Sequence, residues 1–394
     1  MTRLLFGFWI ALSLGLSLPA QADTADAAGA ALVLRVGPER SLKTIAQAAR
    51  LAASGTTVEV DAGPYEGDVA VWTQNQITLR AVGGRVRLVA AGAAAEGKAI
   101  WVVRGGRVTI EGFDFVGARV PSRNGAGIRF EQGQLLVRDC TFIDNENGIL
   151  TGGQPDAELD IENSEFGHNG YGDGQSHNLY VGAIARLSVT GSYFHHARVG
   201  HLLKSRAAVN TIAYNRLTDE AGGRASYELE FPNGGVAYVI GNIISQSAQT
   251  ENPHLISFGA EDYTWPRNAL YLAGNTLIDK LPQGGVFLRV KPGNVAVKAV
   301  NNLLAGQGKF DSAGPGDYRN NLTVDWGEFV SAADDDYRLK PGSRLVGMVE
   351  DPGTANGVNL RLQAEYAHPR GRRALNGKPD NPGAVQSMLP PTQP

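Results

Sequence analysis

Gly241-Asn242-Ile243-Ile244 is one copy of a short pattern that recurs along the 394-residue chain. A polar or small residue precedes Asn or a substitute, and an apolar residue follows two positions later. The other copies are Asp139-Cys140-Thr141-Phe142, Asn163-Ser164-Glu165-Phe166, Gly191-Ser192-Tyr193-Phe194, Tyr214-Asn215-Arg216-Leu217, Gly274-Asn275-Thr276-Leu277, Asn301-Asn302-Leu303-Leu304 and, more weakly, Asn320-Asn321-Leu322. From position 140 to position 302 the copies are separated by 24, 28, 23, 27, 33 and 27 residues. Irregular steps of this size are typical of a parallel β-helix, whose coils contain short strands and loops of variable length.

A second set of strands alternates with this pattern. Its members are Gly127-Ile128-Arg129-Phe130, Gly148-Ile149-Leu150, Asn178-Leu179-Tyr180-Val181, Leu202-Leu203-Lys204-Ser205, Glu228-Leu229-Glu230-Phe231, Leu255-Ile256-Ser257-Phe258 and Phe287-Leu288-Arg289-Val290. Strand alternation places one face of this set in the interior, namely Ile128, Ile149, Leu179, Leu203, Leu229, Ile256 and Leu288. We expect Asn215, Asn242, Asn275 and Asn302 to stack in adjacent coils as a structural ladder. The sequence therefore predicts an all-β fold, a right-handed parallel β-helix, with the handedness of parallel crossovers.

The two ends of the chain predict its domain boundaries. Arg3, the apolar run 4–18 and Ala20-Gln21-Ala22 indicate a signal peptide over residues 1–22, since the run is shorter than the roughly 20 residues of a membrane span. A helix over 41–53, with Ser41 as N-cap, is expected to cap the first coil. The β-helix domain is predicted over 23–385 and a loose tail over 386–394. We expect a secreted or periplasmic protein that does not contact a membrane after signal cleavage.

Composition excludes several classes of protein. The 50 glycines exceed the roughly 7% typical of proteins and indicate many turns. Cys140 is the single cysteine, so no intramolecular disulfide forms, and it is interpreted as a core residue. A formal net charge of −3 argues against nucleic acid or an anionic membrane as a partner. A monomer is expected.

Polar residues align on the outer face of the second strand set. Tyr180, Lys204, Glu230, Ser257 and Arg289 occupy equivalent positions on successive coils, about 4.8 Å apart; we call them the polar column. A second row precedes it, formed by His177, His201, Tyr227 and His254. Nearby polar residues are Asn178, His195, His196, Arg198, Arg206 and Asn233. The concentration of cationic, aromatic and ionisable groups predicts a binding face for an acidic polysaccharide.

The predicted chemistry is β-elimination on a uronate polymer. Such a site neutralises the carboxylate, removes the proton on the adjacent carbon and protonates the leaving oxygen. Arg198 or Arg206 is the candidate clamp, Lys204 or His201 the base, and Tyr180 or Tyr227 the acid. Glu230 is a further candidate catalytic residue, although a carboxylate beside Lys204 favours the charged ammonium. The predicted substrate contacts are His177, Asn178, Arg198, Arg206, Tyr227, Glu228, His254 and Arg289.

Other readings of the same face stay open. Glu228 and Glu230, with Cβ atoms roughly 6–7 Å apart on one strand, could serve an inverting glycoside hydrolase. A uronate epimerase and a non-catalytic polysaccharide-binding or export protein are further alternatives. A metal site through His177, His201 and His254 is disfavoured because coil spacing spreads these residues along the solenoid, and no metal ligands are predicted.

Two resemblances refine these expectations. The segments 36–45, 55–60 and 63–65, with Asp336-Tyr337-Arg338-Leu339-Lys340-Pro341-Gly342-Ser343 and Pro382-Gly383-Ala384-Val385, resemble the ends of the pectate-lyase-like superfamily. Lys204-Ser205 followed by Asn210 is similar to the Lys-Ser-x-x-Asn stretch of the chondroitinase B and alginate lyase family. This second resemblance implies Lys204 as the base and calcium as a cofactor, with Glu228 and Glu230 of suitable chemistry. The family's catalytic arginine has no match in the segment 230–234.

Overall fold

The computed structural model describes residues 32–311 and 316–386, together with Met1. Apart from Met1 and Gln386, the predicted signal peptide and C-terminal tail lie outside these residues. The described residues from Leu32 onward belong to one compact unit. Among them, no helix has the length and apolar character needed to cross a membrane.

Short strands dominate the described chain. In chain order they are β1 (Val33–Val36), β2 (Thr56–Glu66), β3 (Ala70–Trp72), β4 (Gln76–Val89), β5 (Ala99–Val103), β6 (Arg107–Glu111), β7 (Phe113–Val116), β8 (Ala126–Phe130), β9 (Gln134–Arg138), β10 (Thr141–Ile143), β11 (Asn147–Thr151), β12 (Glu158–Glu162), β13 (Glu165–Gly167), β14 (Leu179–Val181), β15 (Arg186–Thr190), β16 (Tyr193–His195), β17 (His201–Ser205), β18 (Val209–Ala213) and β19 (Arg216–Thr218). They continue as β20 (Tyr227–Phe231), β21 (Val236–Ile240), β22 (Ile243–Gln246), β23 (His254–Phe258), β24 (Ala269–Ala273), β25 (Thr276–Asp279), β26 (Val286–Val290), β27 (Ala296–Val300), β28 (Leu303–Ala305), β29 (Lys309–Asp311), β30 (Asp317–Arg319), β31 (Leu322–Val324), β32 (Phe329–Ser331), β33 (Asp336–Leu339), β34 (Thr354–Ala355), β35 (Val358–Asn359), β36 (Ala364–Tyr366) and β37 (Arg372–Ala374).

The strands from β1 to β31 form two parallel sheets. The larger, sheet A, has 21 strands, and the smaller, sheet B, has ten strands in the order β29-β26-β23-β20-β17-β14-β11-β8-β5-β3. From β7 to β31 each strand pairs with the strand three places earlier in the chain, one coil below, which is the connectivity of a right-handed parallel β-helix. The predicted interior residues of sheet B are confirmed as fully buried at Ile128, Ile149, Leu179, Leu203, Leu229, Ile256 and Leu288.

The predicted asparagine ladder is confirmed in the interior. The Oδ1 atom of Asn242 accepts hydrogen bonds from the backbone N (2.9 Å) and Nδ2 (3.0 Å) of Asn215. Nδ2 of Asn242 donates to the carbonyl oxygen of Ile212 (2.8 Å) and to Oδ1 of Asn275 (3.0 Å). Asn275 repeats the arrangement with Asn302. Each amide thereby satisfies buried backbone groups that the turn leaves without a strand partner.

The core between the sheets is continuous and aromatic in its middle. Phe115, Phe142, Phe166 and Phe194 stack with ring centroids 4.6–4.9 Å apart. Cys140 lies in the same core, as predicted. Burial raises the pKa of its thiol to about 12, which keeps the sulfur protonated and unreactive at neutral pH.

The α-helix α1, the single one in the described part of the chain, is shorter than predicted. It spans Ile45–Leu51, and its N-cap is Thr44, which corrects the expectation of Ser41. Thr44 forms a capping box with Gln47, and the carboxylate of Asp68 accepts hydrogen bonds from the first two helical amides. Ile45 and Ala48 are buried in the main core. That α1 closes the first coil stays a prediction.

The repeat ends after β31. The following strands form the antiparallel pairs β32–β33, β34–β35 and β36–β37, with 3-10 turns at Trp326–Glu328 and Ala332–Asp334. Leu360 and Leu362 of this segment pack against Tyr214 and Tyr238 on the outside of sheet A. The phenol oxygen of Tyr214 also accepts a hydrogen bond from the amide of Gln363 at 3.0 Å.

Candidate functional site on sheet B

The predicted polar column is confirmed as a set of register partners. Parallel pairing aligns Tyr180 with Lys204, Lys204 with Glu230, Glu230 with Ser257, and Ser257 with Arg289. The apolar residue before each of them faces the core, so alternation directs these side chains to the opposite side of the strand. Their roles in catalysis or binding stay predictions.

A buried carboxylate joins the two candidate bases. One oxygen of Glu230, Oε2, lies 2.8 Å from Nε2 of His201 and 3.0 Å from Nζ of Lys204. Burial alone would raise the pKa of Glu230, but the hydrogen bond from His201, together with the charge and hydrogen bond of Lys204, outweighs burial, and the pKa is lowered. Burial lowers the pKa of His201 in spite of Glu230, so its imidazole is neutral at neutral pH.

A loop carboxylate that the sequence analysis missed completes this cluster. Glu261 follows β23, and its Oε1 lies 3.1 Å from Nζ of Lys204. Arg206 binds the same carboxylate through Nη1–Oε2 at 2.7 Å and Nη2–Oε1 at 3.1 Å. The two cations lower the pKa of Glu261 to about 2, and the hydrogen bond from Arg206 makes the largest contribution. The amide of Glu261 donates to the carbonyl oxygen of Pro232 at 2.8 Å, which holds the loop over the neighbouring coil.

Arg206 also organises the edge of the cluster. Its Nε donates to the phenol oxygen of Tyr180 at 3.0 Å, and Nη1 donates to Oδ1 of Asn233. The side chain of Lys204 is 12% exposed and that of Arg206 is 20% exposed, whereas the Glu261 side chain is 47% exposed. The Glu261 carboxylate therefore lies on the solvent side of the two cations.

The histidine and tyrosine row lies beside the column in the predicted order. Ring centroids are 4.5 Å apart for His177 and His201, 4.9 Å for His201 and Tyr227, and 6.1 Å for Tyr227 and His254. Nδ1 of His177 accepts a hydrogen bond from the backbone amide of His201 at 3.0 Å. Burial places the pKa of His177 well below its ordinary value, so this ring is a neutral structural acceptor.

Two predicted substrate contacts lie in the interior instead. Asn178 and Glu228 immediately precede the core residues of their strands, and both are fully buried. Equivalent positions on other coils hold buried Leu202, Leu255 and Phe287, so this entire column faces inward. The prediction that Asn178 and Glu228 contact substrate on the binding face is therefore wrong, because both side chains face the core.

The chemistry of these two buried residues differs. Asn178 extends a second amide stack, with Oδ1 accepting from Nδ2 of Asn169 at 2.8 Å. Neither carboxylate oxygen of Glu228 has a hydrogen-bond partner within the described part of the chain. Burial, with repulsion from Asp219 and Asp279, raises the pKa of Glu228 well above its ordinary value. Its surroundings therefore favour the protonated form of Glu228.

The remaining predicted substrate contacts lie in two places, near the polar column on sheet B and on a turn that follows sheet A. Arg289 is exposed at the end of the polar column, and the Nδ1 atom of His254 lies 2.5 Å from Oδ1 of Asn252. Arg198 pairs with Asp144 at 2.6 Å, on the turns that follow the strands of sheet A. Arg206, which touches Tyr180 and the Glu261 loop, is thus the better placed of the two candidate clamps.

The residues expected to hold calcium do not fit that ion. Calcium takes six to eight oxygen ligands, but Glu230 is engaged by His201 and Lys204 while Glu228 lies in the core. In the described ranges, the close group of three or more His, Cys, Asp or Glu ligands is formed by His168, His195 and His196. No catalytic step is derived through calcium.

Comparisons with known proteins support the architecture. The structure is similar to the crystal structure of pectate lyase Pel9A, with a TM-score of 0.59 and 12% sequence identity over 90% of this chain and 96% of that chain. No protein-family model and no curated protein matches the sequence. The chain thus has the pectate-lyase-like parallel β-helix fold, and at this identity the likeness concerns the fold alone. The local similarity to chondroitinase B is not supported; Asn210 is buried and its Oδ1 lies 2.5 Å from Oγ of buried Ser205.

Proposed function

We propose that this protein is a secreted or periplasmic, polysaccharide-active enzyme that cleaves an acidic, uronate-containing polymer by β-elimination. The polymer would lie across the coils of sheet B, over the polar column and the neighbouring aromatic row. A pectate lyase on the same fold is consistent with this class of substrate. In this proposal the protein acts as a monomer after its signal peptide has been cleaved.

The observation that carries the proposal is the binding of Glu261 by Lys204 and Arg206. A guanidinium and an ammonium here hold one carboxylate, Arg206 by two parallel contacts. The carboxylate of a uronate has the same charge and fork geometry. Because the Glu261 side chain is half exposed on a loop, a substrate carboxylate can replace it without opening the core.

The residues around this carboxylate position provide the groups for elimination. In our proposal, Arg206 binds and polarises the uronate carboxylate, which acidifies the proton on the adjacent carbon. Lys204 in its neutral form takes that proton; the electron pair forms the new carbon–carbon double bond and expels the glycosidic oxygen. Tyr180, whose phenol is held by Arg206, protonates the leaving oxygen.

Lys204 is the first candidate base and His201 the alternative. The Lys204 side chain is more exposed than that of His201, and Nε2 of His201 is directed at Glu230. Nδ1 of His201 is buried. His201 nevertheless has a lowered pKa, whereas Nζ of Lys204 lies between the carboxylates of Glu230 and Glu261. Displacement of Glu261 by substrate leaves Glu230 as the protein carboxylate next to Lys204.

The same contacts favour one second candidate, a non-catalytic polysaccharide-binding protein. An ammonium between Glu230 and Glu261 is suited to binding an anionic group even if it never loses its proton. A hydrolase using Glu228 and Glu230 as a pair is less favoured, since Glu228 has no exposed surface.

A product assay separates these functions. The protein is incubated with a panel of uronate polymers, and the absorbance of the conjugated unsaturated uronate is followed together with new reducing ends. β-Elimination produces both signals, and hydrolysis produces reducing ends alone. Binding to a polymer with neither signal would reject both enzymes and leave the binding protein.

A further inference from the structure

Three histidines on two neighbouring coils bring their ring nitrogens together on sheet A. His168 directly follows β13, His195 is the last residue of β16, and His196 follows it. Parallel pairing aligns Gly167 with His195, so the coils are in phase at this point. One nitrogen of each ring lies within 4.8 Å of the other two. We call these residues the three-histidine cluster.

The ring of His195 is held in one place by its neighbours. Its centroid lies 4.4 Å from that of Tyr193, with the two ring planes inclined by 27°. On the preceding coil, a Cβ atom at Gly167 would stand only 2.2 Å from Cε1 of His195. The absence of a side chain at Gly167 therefore creates the space that the imidazole fills.

Hydrogen bonding directs one nitrogen of His195 into the cluster. Nε2 lies 3.4 Å from Oε1 of Glu165, and Nδ1 lies 2.8 Å from Nδ1 of His196. A proton on Nε2 shared with Glu165 leaves the Nδ1 lone pair facing His196. Histidines that bind metals usually donate their second ring N–H to a carboxylate or carbonyl in this way.

A hydrogen bond between His195 and His196 explains their short separation but not the presence of His168. The ring of His168 stacks on His196 at 4.6 Å and meets His195 edge-on at 5.3 Å. The nearby carboxylate of Asp144 pairs with Arg119 at 3.0 Å and with Arg198 at 2.6 Å. Asp144 is thus already paired with two arginines, and among the described residues the carboxylate in contact with the cluster is that of Glu165, 3.4 Å from Nε2 of His195.

We propose that His168, His195 and His196 bind a zinc-class divalent transition-metal ion. Three imidazole nitrogens are a ligand set suited to Zn²⁺, Ni²⁺ or Cu²⁺ rather than Ca²⁺ or Mg²⁺. Ligands about 2.0–2.1 Å from a tetrahedral zinc ion stand roughly 3.3 Å apart, so the ring nitrogens need only small rotations. His168 is exposed, which leaves a fourth position for water.

This site is independent of the proposed polysaccharide chemistry. It is nevertheless connected to sheet B, because Nδ2 of Asn178 donates to the carbonyl oxygen of His195 at 2.8 Å. An ion that fixes the turn after β16 would therefore also stabilise the start of β14. Metal bound only by the folded state should raise the melting temperature.

Zinc titration of the full chain tests the proposal. Any affinity tag is removed first, the protein is stripped with chelator, and Zn²⁺ is titrated in competition with a chromophoric chelator. We expect one equivalent of zinc, and a melting temperature that rises with zinc concentration. His168→Ala and His196→Ala should each weaken binding at least about tenfold, and Glu165→Gln, through the orientation of His195, by roughly 10- to 100-fold.

The matched control is His254→Ala, a histidine substitution on sheet B that should leave zinc affinity unchanged. His168 is exposed, so its substitution removes a ligand without opening a cavity, and circular dichroism checks that the fold is retained. Failure of the wild-type chain to bind one zinc ion would overturn the proposal. Equal affinity in the wild type and His168→Ala would overturn it as well.

Discussion

Arg206 binds both carboxylate oxygens of Glu261, with contacts of 2.7 Å and 3.1 Å, across 55 positions of the chain. The interaction joins the residue after β17 to a loop two coils further along. It shows that the outer face of sheet B already accommodates a carboxylate between cations. In the proposed function, Glu261 occupies the place of a substrate carboxylate and competes with it.

Removing that competitor should strengthen polymer binding. We expect Glu261→Gln to lower the dissociation constant for a uronate polymer several-fold, because the neutral amide no longer competes as a carboxylate for Lys204 and Arg206. A tenfold change in the dissociation constant corresponds to about 1.4 kcal/mol of binding free energy. The neighbouring Asp262 pairs with Lys291 instead, so Asp262→Asn is the matched control on the same loop. Isothermal titration with each variant measures the effect. Weaker binding by Glu261→Gln would mean that Glu261 supports the site rather than occupying it.

The planar fork of Arg206 should matter more than its charge. Arg206→Lys keeps one positive charge but loses the two-point contact and the Nε donor to Tyr180. We predict that it weakens polymer binding by about tenfold, with Arg198→Lys, on the Asp144 turn, as the control. Equal losses in both variants would indicate a diffuse electrostatic effect, which higher salt would also reduce.

The fold followed from the sequence because its determinants are periodic. Apolar residues equivalent to Leu203 and Leu229, and asparagines equivalent to Asn242, occur once per coil. The buried side chains, the strand register and the asparagine ladder could therefore be predicted without knowing the conformation of any loop. Glu261 could not be found in that way. Its position depends on the conformation of the segment after β23, and a loop outside the repeat carries no register.

Glu228 was misplaced for a different reason. Strict alternation directs it outward beside Glu230, yet the equivalent residues Leu202 and Leu255 are buried. Leu202 and Leu203, like Leu255 and Ile256, are consecutive residues that both lie in the main core. The apolar residues at equivalent positions on the other coils indicated that position 228 faces the core. The prediction instead followed the two-residue alternation of a regular strand, which placed Glu228 on the outer face.

The buried acid Glu228 should make stability depend on pH. Its folded-state pKa is raised, so there is no penalty at pH values below the unfolded pKa near 4.5, where both states are protonated. Above that pH the unfolded chain releases the proton, and the folded state loses about 1.4 kcal/mol per pH unit until its own pKa is reached. Asp219, with a pKa raised to about 7, adds the same trend.

Glu228→Gln should therefore raise the melting temperature at pH 7–8 and have little effect near pH 4. Thermal melts across this range measure the difference, with the exposed Glu66→Gln as the control. A stabilisation that does not change with pH would show that packing, rather than ionisation, causes it.

The asparagine ladder should contribute measurably to stability. Asn242→Ala leaves the backbone amide of Asn215 and the carbonyl oxygen of Ile212 without their buried partners. We expect the free energy of unfolding to fall by about 2–4 kcal/mol, measured by chemical denaturation. The exposed Asn124→Ala is the control; a loss no greater than in that variant would contradict the structural role of the ladder.

The central claim is that the Lys204–Arg206 face cleaves a uronate polymer by elimination. The most direct measurement is the rate of unsaturated uronate formation by the wild type and by Lys204→Met, on a polymer that both bind. We predict that the wild type forms the unsaturated product and that Lys204→Met loses roughly 100- to 10,000-fold of the rate while still binding. A wild-type protein that binds the polymer and forms no unsaturated product would contradict the account.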